Sequence, residues 1–316
     1  MTRALQEDAS APGSPRAEDD ARIDACTLCP RACGAVRTAH EGQGACRMGA
    51  LPVVARAALH AWEEPCISGT RGSGTVFFSG CGLRCVFCQN APISHGGVGR
   101  PITSRALAAI FRDLEAQGAH NINLVNPTHF VPQILAALRL YRPGVPIVYN
   151  SGGYEALATL RALAGWVDVY LPDFKFIDAD WAARYAGAPD YPEHCQRALQ
   201  AMCAQTGAPR YDADGLMTRG TLVRHLVLPG GAGQAMRILN WIAEHLPPGT
   251  PVSLMAQYTP CGEALHDPLL RRRVTHREYA LAAAHLRALG LHAGYVQSRQ
   301  GAQDTYIPPF DGTGVP

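Results

Sequence analysis

"TVFFSGCGLRCVFCQN", residues 75–90, runs from a short apolar, β-rich stretch into a loop with cysteines at 81, 85 and 88. The stretch ends on Gly80, and the C-x3-C-x2-C spacing has no fourth cysteine close behind it. Thiolates are soft ligands suited to zinc and iron–sulfur clusters. A structural zinc takes four protein ligands, and a catalytic zinc takes three plus water. A cubane 4Fe–4S cluster has four irons that each need an outer ligand, so three cysteines leave one iron open to a small molecule. On spacing alone, a catalytic zinc site and unrelated structural cysteines stand beside this reading.

Beyond the loop the chain alternates between two patterns. "SRALAAIFRDLEAQG" (104–118) has apolar residues at helical spacing, with Ser104 suited to the N-cap and Gly118 to the C′ position. "NINLVNP" (121–127), "PIVYNSGG" (146–153), "VDVYLPDFK" (167–175), "TLVRHLVLPGG" (221–231) and "PVSLMAQYTP" (251–260) read as strands. Between and after them, 130–141, 154–165, stretches within 178–206, 235–246 and 276–290 read as helices. With the strand at 75–80 this makes six β-then-α units, the pattern of a parallel sheet. An eight-unit closed barrel would need two more. The expected fold is therefore α/β, a partial (β/α)6 barrel, with a doubly wound sheet as the alternative. In either case function gathers at the C-terminal ends of the strands, and the three cysteines occupy the first such loop.

The formal net charge of +2 over 316 residues gives no field that favours nucleic acid or an anionic membrane. No run of about 18 apolar residues is present, so no membrane span is expected. "MTRALQEDASAPGSPRAEDDARID" lacks a signal-like apolar core, and residues 1–22 read as disordered. A cytoplasmic, reducing location follows as the expectation. Seven of the eleven cysteines fall in two tight clusters, which make poor long-loop staples and suit metal or redox chemistry. The first cluster, Cys26, Cys29, Cys33 and Cys46, sits in "CTLCPRACGAVRTAHEGQGAC" with C-x2-C-x3-C-x12-C spacing. Four thiolates allow a closed site, either tetrahedral zinc or a second 4Fe–4S cluster that relays electrons. The layout is then a disordered segment 1–22, a Cys-rich metal-binding knuckle 23–60 and a core domain 61–316. Cys66, Cys195, Cys203 and Cys261 are scattered and read as small buried hydrophobes. "GTRGSGT" (69–75) precedes a strand rather than linking strand to helix, so it is not a phosphate loop.

"SGCGLRCVFCQN", within the longer run "EEPCISGTRGSGTVFFSGCGLRCVFCQN", resembles the cluster loop of the radical S-adenosylmethionine (SAM) superfamily. Together with "CTLCPRACG", "NPTHFVPQIL", "VYNSGGYE", "DVYLPDFKF", "RHLVLPG" and "SLMAQYTP", it resembles the pyruvate formate-lyase activating enzyme-like branch over roughly residues 23–310. The resemblance implies an oxidoreductase in which Cys81, Cys85 and Cys88 ligate three irons and SAM chelates the fourth. One electron then passes to the sulfonium, giving methionine and a 5′-deoxyadenosyl radical that takes hydrogen from a substrate. It further implies a flavodoxin- or ferredoxin-like one-electron donor and a glycyl-radical-type protein partner as substrate. Radical modification of a small molecule or peptide is the rival, and a non-catalytic zinc-binding protein on the same fold is the rival from another class.

Single residues follow from the same resemblance. Asp173 and Lys175 lie on one side of a strand's C-terminal end, where a polar pair is costly to bury without partners. The resemblance makes them SAM contacts, against a structural salt bridge. Phe87 is placed near the adenine, against a core aromatic. Asn150 is a hydrogen-bonding partner for SAM, against a turn former. Arg224, next to His225, suits SAM's carboxylate, against a paired barrel arginine. The second strand departs from the superfamily pattern, which has a Gly-Gly-Glu-like element holding the methionyl amino group. Here the segment is "NLVNPTHF", and Asn126, Thr128 or His129 are the substitutes, although a histidine at a helix start is more often structural.

Overall fold

The structure is a computed structural model that describes residues 25–297 and 307–316. The segment read as disordered, 1–22, lies outside the described residues. The first strand, β1 (Val53–His60), runs antiparallel to β2 (Ser73–Phe78), and the two are linked through the short helix α1 (Pro65–Ser68). Residues 53–60, grouped with the knuckle by sequence, thus form a strand of the main sheet. After the cysteine loop come α2 (Ala91–Ser94) and β3 (Arg100–Pro101), which pairs with β1.

The repeating units then follow in order. They are α3 (Ser104–Ala116), β4 (Ile122–Val125), α4 (Val131–Leu140), β5 (Ile147–Ser151), α5 (Leu157–Leu163) and β6 (Val169–Pro172). Two helices follow β6, α6 (Ala179–Ala186) and α7 (Tyr191–Thr206), and then β7 (Arg210–Tyr211) and β8 (Met217–Thr221) form an antiparallel pair. The chain closes with β9 (Val223–Leu226), α8 (Ala232–His245), β10 (Val252–Met255), α9 (His276–Ala288) and β11 (Gly294–Val296).

β2, β4, β5, β6 and β8 pair in that order, all parallel. β9 continues β8 past Leu222, bridges to β6 through Asp173 and Arg224, and pairs parallel to β10, which pairs parallel to β11. Strand order therefore follows chain order without reversal. A doubly wound sheet reverses at its switch point, so that alternative is excluded. Phe77 on β2 and Met255 on β10 line one cavity although four strand positions lie between them. In a flat sheet they would stand about 24 Å apart at the usual spacing of about 4.8 Å. The sheet is thus curled into a partial (β/α)6 barrel, with β11 as an extra parallel strand.

Local chemistry explains the elements. β4, β5, β6 and β10 are buried along their whole length, as strands covered by helices on one side and a barrel interior on the other must be. On α3, Leu107, Ile110, Phe111 and Leu114 make the buried stripe. Its N-cap is Thr103, whose hydroxyl accepts from the Ala106 amide at 3.2 Å, one residue before the expected Ser104. Gly118, at φ +88°, ends the helix where expected. A Thr275–Glu278 capping box starts α9. The C-terminal residues return to the sheet, with the Gly312 amide bonded to Ala55 O at 3.0 Å and the Ala57 amide to Thr313 O at 2.9 Å.

Candidate active site

A cavity of about 280 Å³ opens at the C-terminal ends of the parallel strands. Cys81, Cys85 and Cys88 line it together with Phe87, Asn150, Asp173, Lys175 and Arg224. The three cysteines and these five expected SAM contacts thus line one cavity.

The loop leaves β2 through Gly80, at φ +82°. A Cβ there would stand 2.2 Å from Met48 Cγ and 2.9 Å from Cys46 O, so only glycine fits. The Asn126 side-chain amide donates to Gly80 O from the end of β4. Within the loop the Leu83 amide donates to Cys81 Sγ at 3.4 Å, and Cys88 Sγ shares a hydrogen bond with Ser94 Oγ at 3.2 Å. Burial pushes the Cys85 thiol up to about 12, with the Lys175 charge working against it. Among the described residues, no three His, Cys, Asp or Glu side chains converge in a ready-made metal geometry. The donor set nevertheless fits an iron–sulfur cluster: three soft thiols on one wall, an amide donating to one sulfur and an ammonium beside the other two.

The cavity floor is a network of charges. Arg224 donates to Asp173 Oδ1 at 2.9 Å, to Glu63 Oε2 at 3.0 Å and to Asn150 Oδ1 at 2.6 Å. Asn150 in turn donates to Glu63 Oε1 at 3.1 Å, and Asn123 reaches the same oxygen at 3.3 Å. Lys175 Nζ donates to Asp173 Oδ2 at 2.5 Å. Burial pushes the Asp173 carboxyl up, but Arg224 and Lys175 outweigh it and hold it below its ordinary value. Burial also works against the Lys175 ammonium, which Asp173 more than restores. His225, on the opposite face of β9 from Arg224, bonds Phe174 O at 2.7 Å, and burial pushes it down to about 4, so it is neutral. Phe87 is buried with Phe176 and Tyr258 edge-on at 6.1 Å each, an aromatic side to the cavity.

Glu63 has no role in the reading of the sequence. Its "EEP" context is an acidic pair in a loop before a proline, which usually means a solvated turn. Only the fold, bringing Arg224 of β9 against it, shows that its side chain is 11% exposed. Of the three second-strand substitutes, Asn126 lines the large cavity. Thr128 donates to Glu155 at 2.8 Å, and His129 Nε2 lies 2.6 Å from Ser79 O, with burial and then Arg37 pushing it down to about 3. Both face a smaller cavity of about 30 Å³.

That smaller cavity joins the knuckle to the loop, because Cys29, Cys46 and Cys81 line it together. A Cβ at Gly82 would meet Cys29 Sγ at 3.5 Å. Arg31 clamps the two parts, donating to Gly82 O at 2.8 Å and to Ala186 O at 3.0 Å. Thr159 donates to Leu28 O at 2.8 Å. Arg37 is buried, and among the described residues its hydrogen bonds go to backbone carbonyls, of Met48, Gly49 and His129. Its positive charge acts on the Cys46 thiol, which burial pushes up. Cys26 is buried and Cys33 exposed. Cys66, Cys195 and Cys203 are buried as expected, while Cys261 is half-buried and donates to Phe87 O at 3.4 Å.

Residues 68–149, which hold the three loop cysteines, match the family model of a 4Fe-4S single cluster domain. An uncharacterized protein of Methanocaldococcus jannaschii is 29% identical over 232 residues, covering 70% of this chain and 62% of its own length. The chain thus spans less than two thirds of that curated relative. Among solved structures, Streptococcus suis SuiB bound to its precursor peptide SuiA aligns with a TM-score of 0.48 at 11% identity, over 69% of this chain and 46% of that one. A radical SAM methyltransferase from Sphaerobacter thermophilus aligns with a TM-score of 0.49 at 16% identity, over 71% and 66%.

Proposed function

We propose that this chain is a radical SAM enzyme, and that Cys81, Cys85 and Cys88 hold its 4Fe–4S cluster. One observation carries the reading: three thiols and the Glu63–Arg224–Asp173–Lys175 network face a single cavity at the C-terminal ends of the parallel strands. When bound, the cluster supplies an open iron and one electron for reductive cleavage of SAM to methionine and a 5′-deoxyadenosyl radical. The chain's own residues bind, orient and exclude water. Arg224 and Lys175 carry N–H groups suited to a carboxylate, and Asp173 and Glu63 carry acceptors suited to an ammonium. Phe87 and Tyr258 offer apolar ring surface to a purine. The finer reading is the pyruvate formate-lyase activating enzyme-like branch, with hydrogen taken from a glycyl-radical-type protein partner and a flavodoxin- or ferredoxin-like donor. It rests on the sequence resemblance, and radical modification of a peptide or small molecule remains its rival.

Asp173→Ala and Lys175→Ala should each weaken SAM binding at least about tenfold, because each leaves a buried partner charge uncompensated at the ligand wall. Iron content should stay at the wild-type level. Calorimetric titration of SAM into the reconstituted variants checks this. Unchanged affinity would make the pair structural.

The knuckle is proposed as a second metal centre on Cys26, Cys29, Cys33 and Cys46. A buried guanidinium bonded to carbonyls calls for a nearby negative charge, and a tetrathiolate centre beside Arg37 provides it. Metal analysis of wild type against the four-alanine variant identifies the centre. Loss of one zinc marks a structural site, and loss of about four irons marks an auxiliary cluster. An unchanged metal content contradicts a site there.

A further inference from the structure

Glu63 and its neighbour Glu64 add a property that the SAM reading does not by itself contain. Among the described residues, the charged side chains at the cavity floor and directly behind it carry three carboxyl groups, on Glu63 and Asp173, which line it, and on Glu64 behind Arg224, and two cations, on Arg224 and Lys175. Among the described residues, Arg84 is the other arginine or lysine that lines the cavity, and it is exposed. The Glu64 side chain is 3% exposed and lies 3.8 Å from Arg224, and its Oε2 accepts no hydrogen bond. Arg224 is already committed to Asp173, Glu63 and Asn150, so it cannot fully satisfy a third carboxylate. With all five groups ionised, the described residues of the floor thus carry one negative charge more than their cations balance, in a place where unbalanced charge is costly. Three thiolates around a cluster add no positive charge to offset it.

We infer that Glu63, backed by Glu64, makes this cavity selective for a cofactor with a net positive charge, and so for the sulfonium of SAM over the neutral thioether S-adenosylhomocysteine. The inference rests on the SAM reading and deepens it. SAM carries an ammonium, a carboxylate and a sulfonium, a net charge of +1 by its chemistry. S-adenosylhomocysteine has the same adenosine and amino-acid groups but lacks the S-methyl group and with it the sulfonium charge, so every contact outside the methyl and its charge is shared. The two ligands differ at the one term that the excess carboxylate can read. Burial pushes both glutamates above their ordinary values, with Arg224 working against it, so protonation is favoured without a further cation beside them and ionisation is favoured with one. Glu63 acts as a specificity-determining residue. It does so from the segment between β1 and α1, outside the second strand, where the superfamily pattern puts an acid.

The test is equilibrium binding of both ligands to the cluster-reconstituted, oxidised protein, so no turnover is needed. Wild type should bind SAM at least about tenfold more tightly than S-adenosylhomocysteine. Glu63→Gln should lower that ratio by about tenfold, with the SAM affinity falling further than the S-adenosylhomocysteine affinity. Glu64→Gln removes the same charge without touching the bonds of Glu63 to Asn150 and Arg224, and should shift the ratio in the same direction. Wild type that binds both ligands equally overturns the inference and leaves the SAM reading intact. So does a Glu63→Gln variant that loses both affinities in parallel, if Glu64→Gln leaves the ratio at its wild-type value. Wild type that binds neither ligand overturns the SAM reading and the inference with it.

Discussion

Replacing Cys81, Cys85 and Cys88 together by alanine should empty the loop of iron and sulfide and leave the barrel folded. Each substitution removes one sulfur atom, and two of the three sulfurs border the cavity from half-buried positions rather than filling the core. Cys85 belongs to one of the two large packing clusters, but most of the packing that sets stability lies beyond the loop. One cluster is built on β9, β10 and the helices α6 to α9, and another on β1, β2, β4, β5 and the helices α3 to α5. Iron and sulfide analysis of anaerobically reconstituted protein, with circular dichroism on the same samples, checks both halves. A variant that keeps iron at the wild-type level would show that the loop does not hold the cluster.

The largest effect on stability is expected at Arg224. Arg224→Gln removes the cation that joins Glu63, Asp173 and Asn150 and that lies closest to Glu64. Breaking a buried ion network at one partner costs about 3–5 kcal/mol, because charges stay buried without compensation. The loss should appear as a lower urea midpoint with an unchanged slope. It should also carry a pH signature. Asp173 is held below its ordinary value in the folded chain, so its contribution is present above the unfolded carboxylate range and is lost as pH falls through the folded value. The variant should therefore lose less stability on acidification than wild type. An unfolding free energy within about 0.5 kcal/mol of wild type would mean that Arg224 is a rim charge and that the network does not organise the floor.

The barrel is legible in the sequence because its strands are buried on both faces. "INLV", "IVYNS" and "VSLM" are therefore nearly continuous apolar or small runs, each followed by an amphipathic helix. The same rule explains why β1 is harder to read. "VVARAALH" alternates only in part and pairs antiparallel at the sheet margin, so nothing in it separates it from the knuckle. The Asp173–Lys175 pair follows from two-residue alternation, and its 2.5 Å contact fits that geometry. Glu63 does not follow from any local pattern. Its partner Arg224 is 161 positions away, and a loop glutamate takes its meaning from the cation that the fold brings to it. The docking of the knuckle on the cysteine loop is hidden for the same reason. It depends on Arg31 reaching Gly82 and Ala186, contacts that no spacing announces.

Reductive SAM cleavage by the three-cysteine loop and the charged floor together is the proposed activity. Its most direct test is to reduce the anaerobically reconstituted wild-type protein with dithionite in the presence of SAM and to quantify 5′-deoxyadenosine and methionine by chromatography. The expected result is equal amounts of both products, dependent on reductant and absent from the Cys81→Ala/Cys85→Ala/Cys88→Ala variant. Protein that is replete in iron and sulfide, binds SAM and yet forms no 5′-deoxyadenosine under reduction would contradict the account.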